Sequence, residues 1–200
     1  MIFCESKKAT ETLAARLAET ASAFSSTRQK GGFGSIHNPK LRELLASGAG
    51  VAFHHAGISA EDRATVEALF AKNQIRVLCS TSTLAVGINS PAHLVIIKGT
   101  SQWRGAQEGY TDSSVSTILQ MIGRAGRPGY DDRGVAVIMT SKDKQSKYEQ
   151  MSSGQELVES QLLKRFHEGK GEFLGEGQDR HTDCFLSSVT THTYIISLEC

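Results

Sequence analysis

From Val51 to Cys79 the chain reads VAFHHAGISAEDRATVEALFAKNQIRVLC, and this stretch decides the fold class. Val51-Ala52-Phe53-His54 is a short apolar run of the kind found in buried strands. Ser59 stands three residues before Asp62, a capping-box-like pair, and Val66, Leu69 and Phe70 then share one face of a helix. Ile75-Arg76-Val77-Leu78-Cys79 is the next β-branched run. Such runs alternating with helices argue for an open parallel sheet covered on both faces.

The same alternation continues outward. Ile2-Phe3-Cys4 is a short strand followed by an Ala-rich helix from Lys7 to Leu17, and residues 22–39, rich in Ser, Gly and Lys, read as a long loop. Leu41, Leu44 and Leu45 have helical spacing, closed by Gly48 and Gly50. Leu94-Val95-Ile96-Ile97 and Val135-Ala136-Val137-Ile138-Met139 are strands, separated by a helix from Ser114 to Ile122. Two further helices are expected over Lys142–Met151 and Gln155–His167. The class is α/β. Ser188 to Leu198 is β-branched and could be a strand, but nothing nearby in sequence suggests its partner.

Composition narrows the function. The 200 residues suffice for one ordinary domain, or one with a small appendage, and 39% hydrophobic with 22% charged residues describes a soluble globule. Disordered, collagenous and disulfide-scaffold chains are excluded. Lys plus Arg (22) nearly cancel Asp plus Glu (21), leaving a net charge of +1, so nucleic-acid contact must come from a few placed groups. Cys4, Cys79, Cys184 and Cys200 form no C-x-x-C pair, which fits reduced intracellular thiols rather than a zinc site. No metal site is expected, nor a signal peptide, nor any run of about 18 apolar residues to span a membrane.

Chemistry concentrates in Gln120-Met121-Ile122-Gly123-Arg124-Ala125-Gly126-Arg127-Pro128-Gly129. Two arginines three apart can reach one oxyanion from the same side, each with planar, bidentate donors, as a trans-acting arginine finger requires. The plainer alternative is an arginine-capped helix end. His54-His55 is not a metal pair, because adjacent strand residues point to opposite faces; one structural histidine and one surface histidine are expected. Nowhere does G-x-x-x-x-G-K-[ST] occur: Gly169-Lys170 is followed by Gly171, and Gly31-Gly32-Phe33-Gly34 lacks the following Lys-Ser/Thr. Without a phosphate cradle or Mg²⁺ carboxylates, the chain alone is not expected to hydrolyse ATP.

Gln120-x-x-Gly123-Arg124-x-Gly126-Arg127 resembles motif VI of the superfamily two helicases. Phe3-Cys4 is similar to motif IV, and His54-His55-Ala56-Gly57 with Glu61-Asp62-Arg63 to the motif after it. Thr81 to Ala92 resembles motif V, with His93-Leu94-Val95-Ile96-Ile97-Lys98 as its sequel. Order and spacing agree from residue 1 to about residue 168. Thr83-Leu84-Ala85-x-Gly87-x-Asn89 and the motif VI run look like the Ski-like group, and Lys147-Tyr148 with Leu157-Val158-Glu159-Ser160 looks like its meiotic crossover DNA helicases. The RNA-exosome and splicing members of the group remain as alternatives.

The resemblance implies the second of two RecA-like domains of an ATP-dependent 3′-to-5′ DNA helicase, closing on ATP and Mg²⁺ held mainly by the first. It implies catalytic roles for Arg124 and Arg127 at the γ-phosphate, and nucleotide contacts for Gln120, Gly123, Gly87 and Asn89. Thr83, His55 and Gly57 would touch the nucleic-acid strand; Thr83 could equally be a plain N-cap. The loop from Gly99 to Ser113, with Trp103, Arg104 and Tyr110, sits where relatives place a strand-separating hairpin, or is a surface loop. The implied partners are single-stranded or duplex DNA, with RNA open, and the first RecA-like domain; the implied location is the nucleus. Val86 and Ser90 depart from the motif V pattern, which relatives fill with a large residue and a leucine. Residues 1–152 would be the RecA-like domain, entered at motif IV, and 153–168 a helix leading to an absent winged-helix domain. Residues 169–200 would be a poorly ordered, Gly-rich tail from truncation or mis-splicing. A different class is also compatible: a non-catalytic binding or regulatory fragment with the same fold.

Overall fold

The computed structural model describes residues 1–24, 36–87, 90–127, 129, 131–152, 184–189 and 193–199. Five parallel strands form the frame: β1 (Ile2–Cys4), β2 (Val51–His54), β3 (Val77–Ser80), β4 (Leu94–Lys98) and β7 (Arg133–Met139), in the order β2-β3-β1-β4-β7. Register is continuous, with Val51 opposite Val77, Ile2 opposite both Cys79 and Ile96, and Leu94 opposite Val135. All four β2 residues are buried. Since successive strand residues face opposite ways, both faces of the sheet are covered. The chain has the α/β, RecA-like architecture expected from its sequence.

Three of the helices start where a side chain accepts from one of the first backbone N–H groups. Asn38 Oδ1 accepts from the Leu41 N–H at 3.1 Å to begin α2 (Pro39–Ala46), with Pro39 in the first turn, where a missing N–H does no harm. Ser59 Oγ accepts from Asp62 N at 3.1 Å to begin α3 (Ala60–Ala71). The Asp62 carboxylate does not return to its own cap. It accepts from the His37 and Asn38 backbone N–H groups at 2.8 and 2.9 Å, tying α3 to the start of α2. Ser114 Oγ accepts from Thr117 N at 3.2 Å at the head of α5 (Val115–Ile122). The core under these helices includes Phe3, Leu41, Phe53, Leu78, Val95, Ile118 and Ile138, all buried.

Several elements differ from the sequence reading. Helix α1 runs from Lys7 to Phe24, past the expected end at Leu17, because Ala18 to Ala23 contains no glycine or proline to stop it. Of the expected loop, 25–35 lies outside the described residues. Strand β3 starts at Val77, since the Ile75 and Arg76 N–H groups bond to Leu69 O and Gly50 O instead of joining the ladder. A five-residue helix, α4 (Thr83–Gly87), begins at Thr83, for which N-capping was one reading, and the antiparallel pair β5 (Ser101–Trp103) and β6 (Tyr110–Asp112) makes a hairpin of the Gly99–Ser113 loop, where the resemblance implied one. The segment read as one helix from Lys142 is a 3-10 turn (Lys142–Lys144) followed by α6 (Gln145–Ser152). The expected helix over 155–167 lies outside the described residues.

The tail supplies two strands where one was read. Strand β8 (Cys184–Val189) pairs with β9 (Thr193–Glu199), and β9 lies antiparallel to β7 with Arg133 opposite Glu199 and Met139 opposite Thr193. Its partner is the free edge of the parallel sheet, whose unpaired N–H and C=O groups accept any strand that reaches them.

Candidate functional site

Motif VI leaves α5 at Gly123 and turns immediately. The exposed Gln120 is on the last turn of the helix. Arg124 does not point at a shared acceptor with Arg127. Its Nε donates to the Ala85 carbonyl oxygen at 3.0 Å, and its Nη2 donates to the same oxygen. Arg124 is therefore an arginine cap on a helix C-terminus, but of α4 rather than of its own helix. The motif V and motif VI segments are joined a second time through their backbones, by Ala92 N to Arg124 O and Gly126 N to Ala92 O, both 2.8 Å.

Gly134, at the start of β7, explains how the loop lies so close to the sheet. A Cβ built there would sit 2.5 Å from Ala125 C and Gly126 N. Only a residue without a side chain lets the strand approach that backbone. Sequence reading had no signal for it beyond a glycine leading into a strand.

Arg127 faces another acceptor, Asp131. Nε donates to Oδ2 at 2.8 Å, Nη2 to Oδ1 at 2.9 Å, and the Arg127 backbone N–H to Oδ2 at 3.0 Å. His93 Nδ1 lies 3.3 Å from Oδ1. The Arg127 guanidinium holds the Asp131 carboxyl down at about 2, with burial opposing and the backbone N–H adding to the effect. Arg127 borders a hollow of about 500 Å³ at the amino ends of the strands, beside Ile2, Val77 and Leu94.

A second cleft, of about 640 Å³, opens at the carboxyl ends. It brings together Thr83, Trp103 and Arg104 from the sequence-derived set, with Lys7, Lys8 and Tyr110. Trp103 is 48% exposed, and its ring centroid lies 5.1 Å from that of Tyr110, its cross-strand neighbour. The hairpin is anchored at its base by Trp103 N donating to Glu5 O at 3.1 Å and Ser113 N to Thr100 O at 2.8 Å. Thr83 is exposed, with its hydroxyl 2.8 Å from that of Thr81. Lys7 and Lys8 were missed as site residues, although two cations at the start of α1 oppose the helix dipole and so need another reason to be there.

The histidine pair corrects the sequence reading. Neither is at the surface: His54 is 4% exposed and His55 3%. They do point to opposite faces, His54 Nε2 meeting Glu67 Oε1 at 2.7 Å and His55 Nε2 meeting Glu11 Oε1 at 3.2 Å. Burial pushes both imidazole pKa values below the ordinary histidine value, with the carboxylate partners opposing. His55 Nδ1 accepts the Gly57 N–H at 3.0 Å, so the ring hydrogen is on Nε2. A Cβ on Gly57 would lie 3.0 Å from the His55 ring and 3.3 Å from Lys7 Cδ. Of His55, Ala56 and Gly57 only Ala56 lines the cleft; His55 is buried, and Gly57 is exposed outside the lining. Gly87 ends α4, and Asn89 lies outside the described residues. Among the described residues no group of three His, Cys, Asp or Glu could hold a metal ion.

Residues 1–129, more than half the chain, match the helicase conserved C-terminal domain family. The chain belongs to that family. It is 45% identical over 166 residues to the ATP-dependent DNA helicase MER3 of Saccharomyces cerevisiae, covering 81% of this chain and 13% of that protein. It is 42% identical over 166 residues to the probable ATP-dependent DNA helicase HFM1 of Homo sapiens, covering 81% and 11%. It is also 41% identical over 178 residues to the DExH-box ATP-dependent RNA helicase DExH14 of Arabidopsis thaliana, covering 84% and 8%. The helicase C-terminal domain thus spans about an eighth of the yeast relative's length, and less of the other two. Its two clefts lie at opposite ends of the parallel strands; Thr83 at the start of α4 borders one, and the Ala85 carbonyl of α4 is held by Arg124 of motif VI, whose Arg127 borders the other.

Proposed function

We propose that this chain is the second motor lobe, residues 1–152, of an ATP-dependent DNA helicase that couples ATP hydrolysis to 3′-to-5′ strand translocation and duplex unwinding in meiotic recombination, in the nucleus. The observation that carries the reading is α4. Its first residue, Thr83, borders the strand cleft, and its carbonyl end is clamped by a motif VI arginine. A movement of motif VI toward a phosphate therefore pulls on the helix that touches the strand. The MER3 and HFM1 relatives support DNA as the track and ATP as the fuel.

In this reading Arg124 and Arg127 face the γ-phosphate, while Gln120, Gly123, Gly87 and Asn89 line the nucleotide. That Arg127 can hold an oxyanion is supported by the Asp131 carboxylate, which it grips through Nε and Nη2. ATP with Mg²⁺, bound mainly by a first RecA-like lobe, supplies the phosphoanhydride whose cleavage releases energy. This chain's residues neutralise charge on the transferring group and exclude water as the lobes close. On the strand side, Trp103 and Tyr110 offer stacking faces, Arg104, Lys7 and Lys8 offer charge, and His55 with Gly57 holds the Ala56 turn against the cleft.

The test is a fusion of this chain to a first lobe that carries the phosphate loop. The expected result is ATP hydrolysis stimulated by single-stranded DNA, abolished by Arg127→Ala with strand binding retained. An unchanged rate in that variant would remove the finger assignment. Stronger stimulation by RNA than by DNA would favour the RNA-helicase reading, which the DExH14 relative supports. A fusion that binds strand but never hydrolyses ATP would favour a regulatory fragment.

A further inference from the structure

We infer that Asp131 is a positioning residue for Arg127, fixing the direction in which its guanidinium meets the nucleotide phosphate. The inference rests on Arg127 acting as an arginine finger. Three N–H groups of one residue converge on this carboxylate: Nε at 2.8 Å, Nη2 at 2.9 Å and the backbone N at 3.0 Å. The Asp131 N–H returns to Arg127 O at 3.0 Å, closing the loop on itself. Burial is uneven in the direction that positioning requires. The Asp131 side chain is 8% exposed and that of Arg127 37%, so the carboxylate sits beneath and the cation stands above it.

The geometry also fixes which edge of the guanidinium the carboxylate holds. A guanidinium has five N–H donors in a planar fork. Asp131 takes the side-on edge made by Nε and Nη2, not the end-on edge made by Nη1 and Nη2. His93, 3.3 Å from Oδ1, stands against the carboxylate from the motif V side. An exposed ion pair at this spacing on a helix would be worth little and would orient nothing. Here the pair bridges a loop, its acidic member is buried, and it removes the rotamer freedom of a long side chain before a phosphate arrives.

The test uses the two-lobed fusion and compares Asp131→Asn, Asp131→Glu, Arg127→Ala and the double variant Arg127→Ala/Asp131→Asn. Asp131→Asn should lower kcat by ~10- to 100-fold while KM for ATP and strand affinity stay within about twofold of the parent. Asp131→Glu, which keeps the charge, should recover part of that loss. Because Asp131 acts through Arg127, adding Asp131→Asn to Arg127→Ala should cause no further loss. The inference is overturned if Asp131→Asn leaves kcat unchanged or raises it while Arg127→Ala abolishes turnover; the finger then stands without its guide. It is overturned equally if the loss comes with a lowered Tm that is as large on the Arg127→Ala background, which is a structural role. If Arg127→Ala itself retains the parent rate, the finger reading fails, and this inference with it.

Discussion

Gly134→Ala places a methyl group in a space already occupied by backbone. The added Cβ would lie 2.5 Å from Ala125 C and Gly126 N, and 2.6 Å from Ala125 O. Carbon atoms at rest stand about 3.5–4.0 Å apart, so strand and loop must separate by roughly 1 Å. Neither side yields easily. The strand is paired to β4 through Val135, and the loop is held by the Ala92 bridge and by the Arg124 clamp on α4. Forced overpacking of this kind costs ~1–3 kcal/mol. At roughly 2–4 °C per kcal/mol for a chain of this size, Tm should fall by ~2–12 °C. The displaced segment carries both motif VI arginines, so the two-lobed fusion should also lose turnover beyond any loss of folded protein. Thermal unfolding by circular dichroism on parent and variant reads the first effect, and ATP hydrolysis per folded molecule reads the second. A Tm within about 1 °C of the parent would show that the loop is free to move, and the account of Gly134 would be wrong.

Trp103 is the one tryptophan of the sequence, so intrinsic fluorescence reports on the strand cleft alone. Single-stranded DNA should quench it, and Trp103→Ala should weaken strand binding by ~1–3 kcal/mol with little change in Tm; unaltered affinity would remove the stacking role. His54 and His55 have pKa values depressed by burial, so the unfolded chain takes up their protons first. Stability should therefore fall as pH drops below the ordinary histidine value of about 6.5, reading as a lower urea midpoint at pH ~5.5 than at ~7.5; a higher midpoint at the acid value would contradict the burial. Burial pushes the Asp62 carboxyl up, but the His37 and Asn38 N–H groups outweigh it and bring the net pKa below the usual range. Its contribution is present above about pH 4 and lost as pH falls through the folded-state value. Asp62→Ala should cost ~1–3 kcal/mol at neutral pH by removing two hydrogen bonds from part-buried donors, with the deficit shrinking in acid; a deficit that does not vary with pH would point to lost packing instead.

The parallel frame was legible because its signals are local. Strand runs, capping residues and helical spacing each lie within a dozen neighbouring positions, and the cap residue Ser59 acts where its spacing placed it. The element edges were less legible, since they depend on which distant carbonyl takes each N–H. The Arg76 N–H bonds to Gly50 O, and that contact moves the start of β3 to Val77.

The candidate site divides along the same line. The family resemblance singled out Thr83, Trp103 and Arg104, and the structure gathers them in one cleft. Burial of the histidines was not readable. His55 depends on Glu11, which is 44 positions away along the chain. The order of the motifs, the class of the sheet and the two arginines were thus determined by the sequence alone, since they follow from local pattern. Which acceptor each arginine holds, Ala85 for Arg124 and Asp131 for Arg127, was decided by tertiary structure. A hydrogen bond between distant segments exists only once the sheet has brought their backbones together, and Gly134 is what lets them come that close.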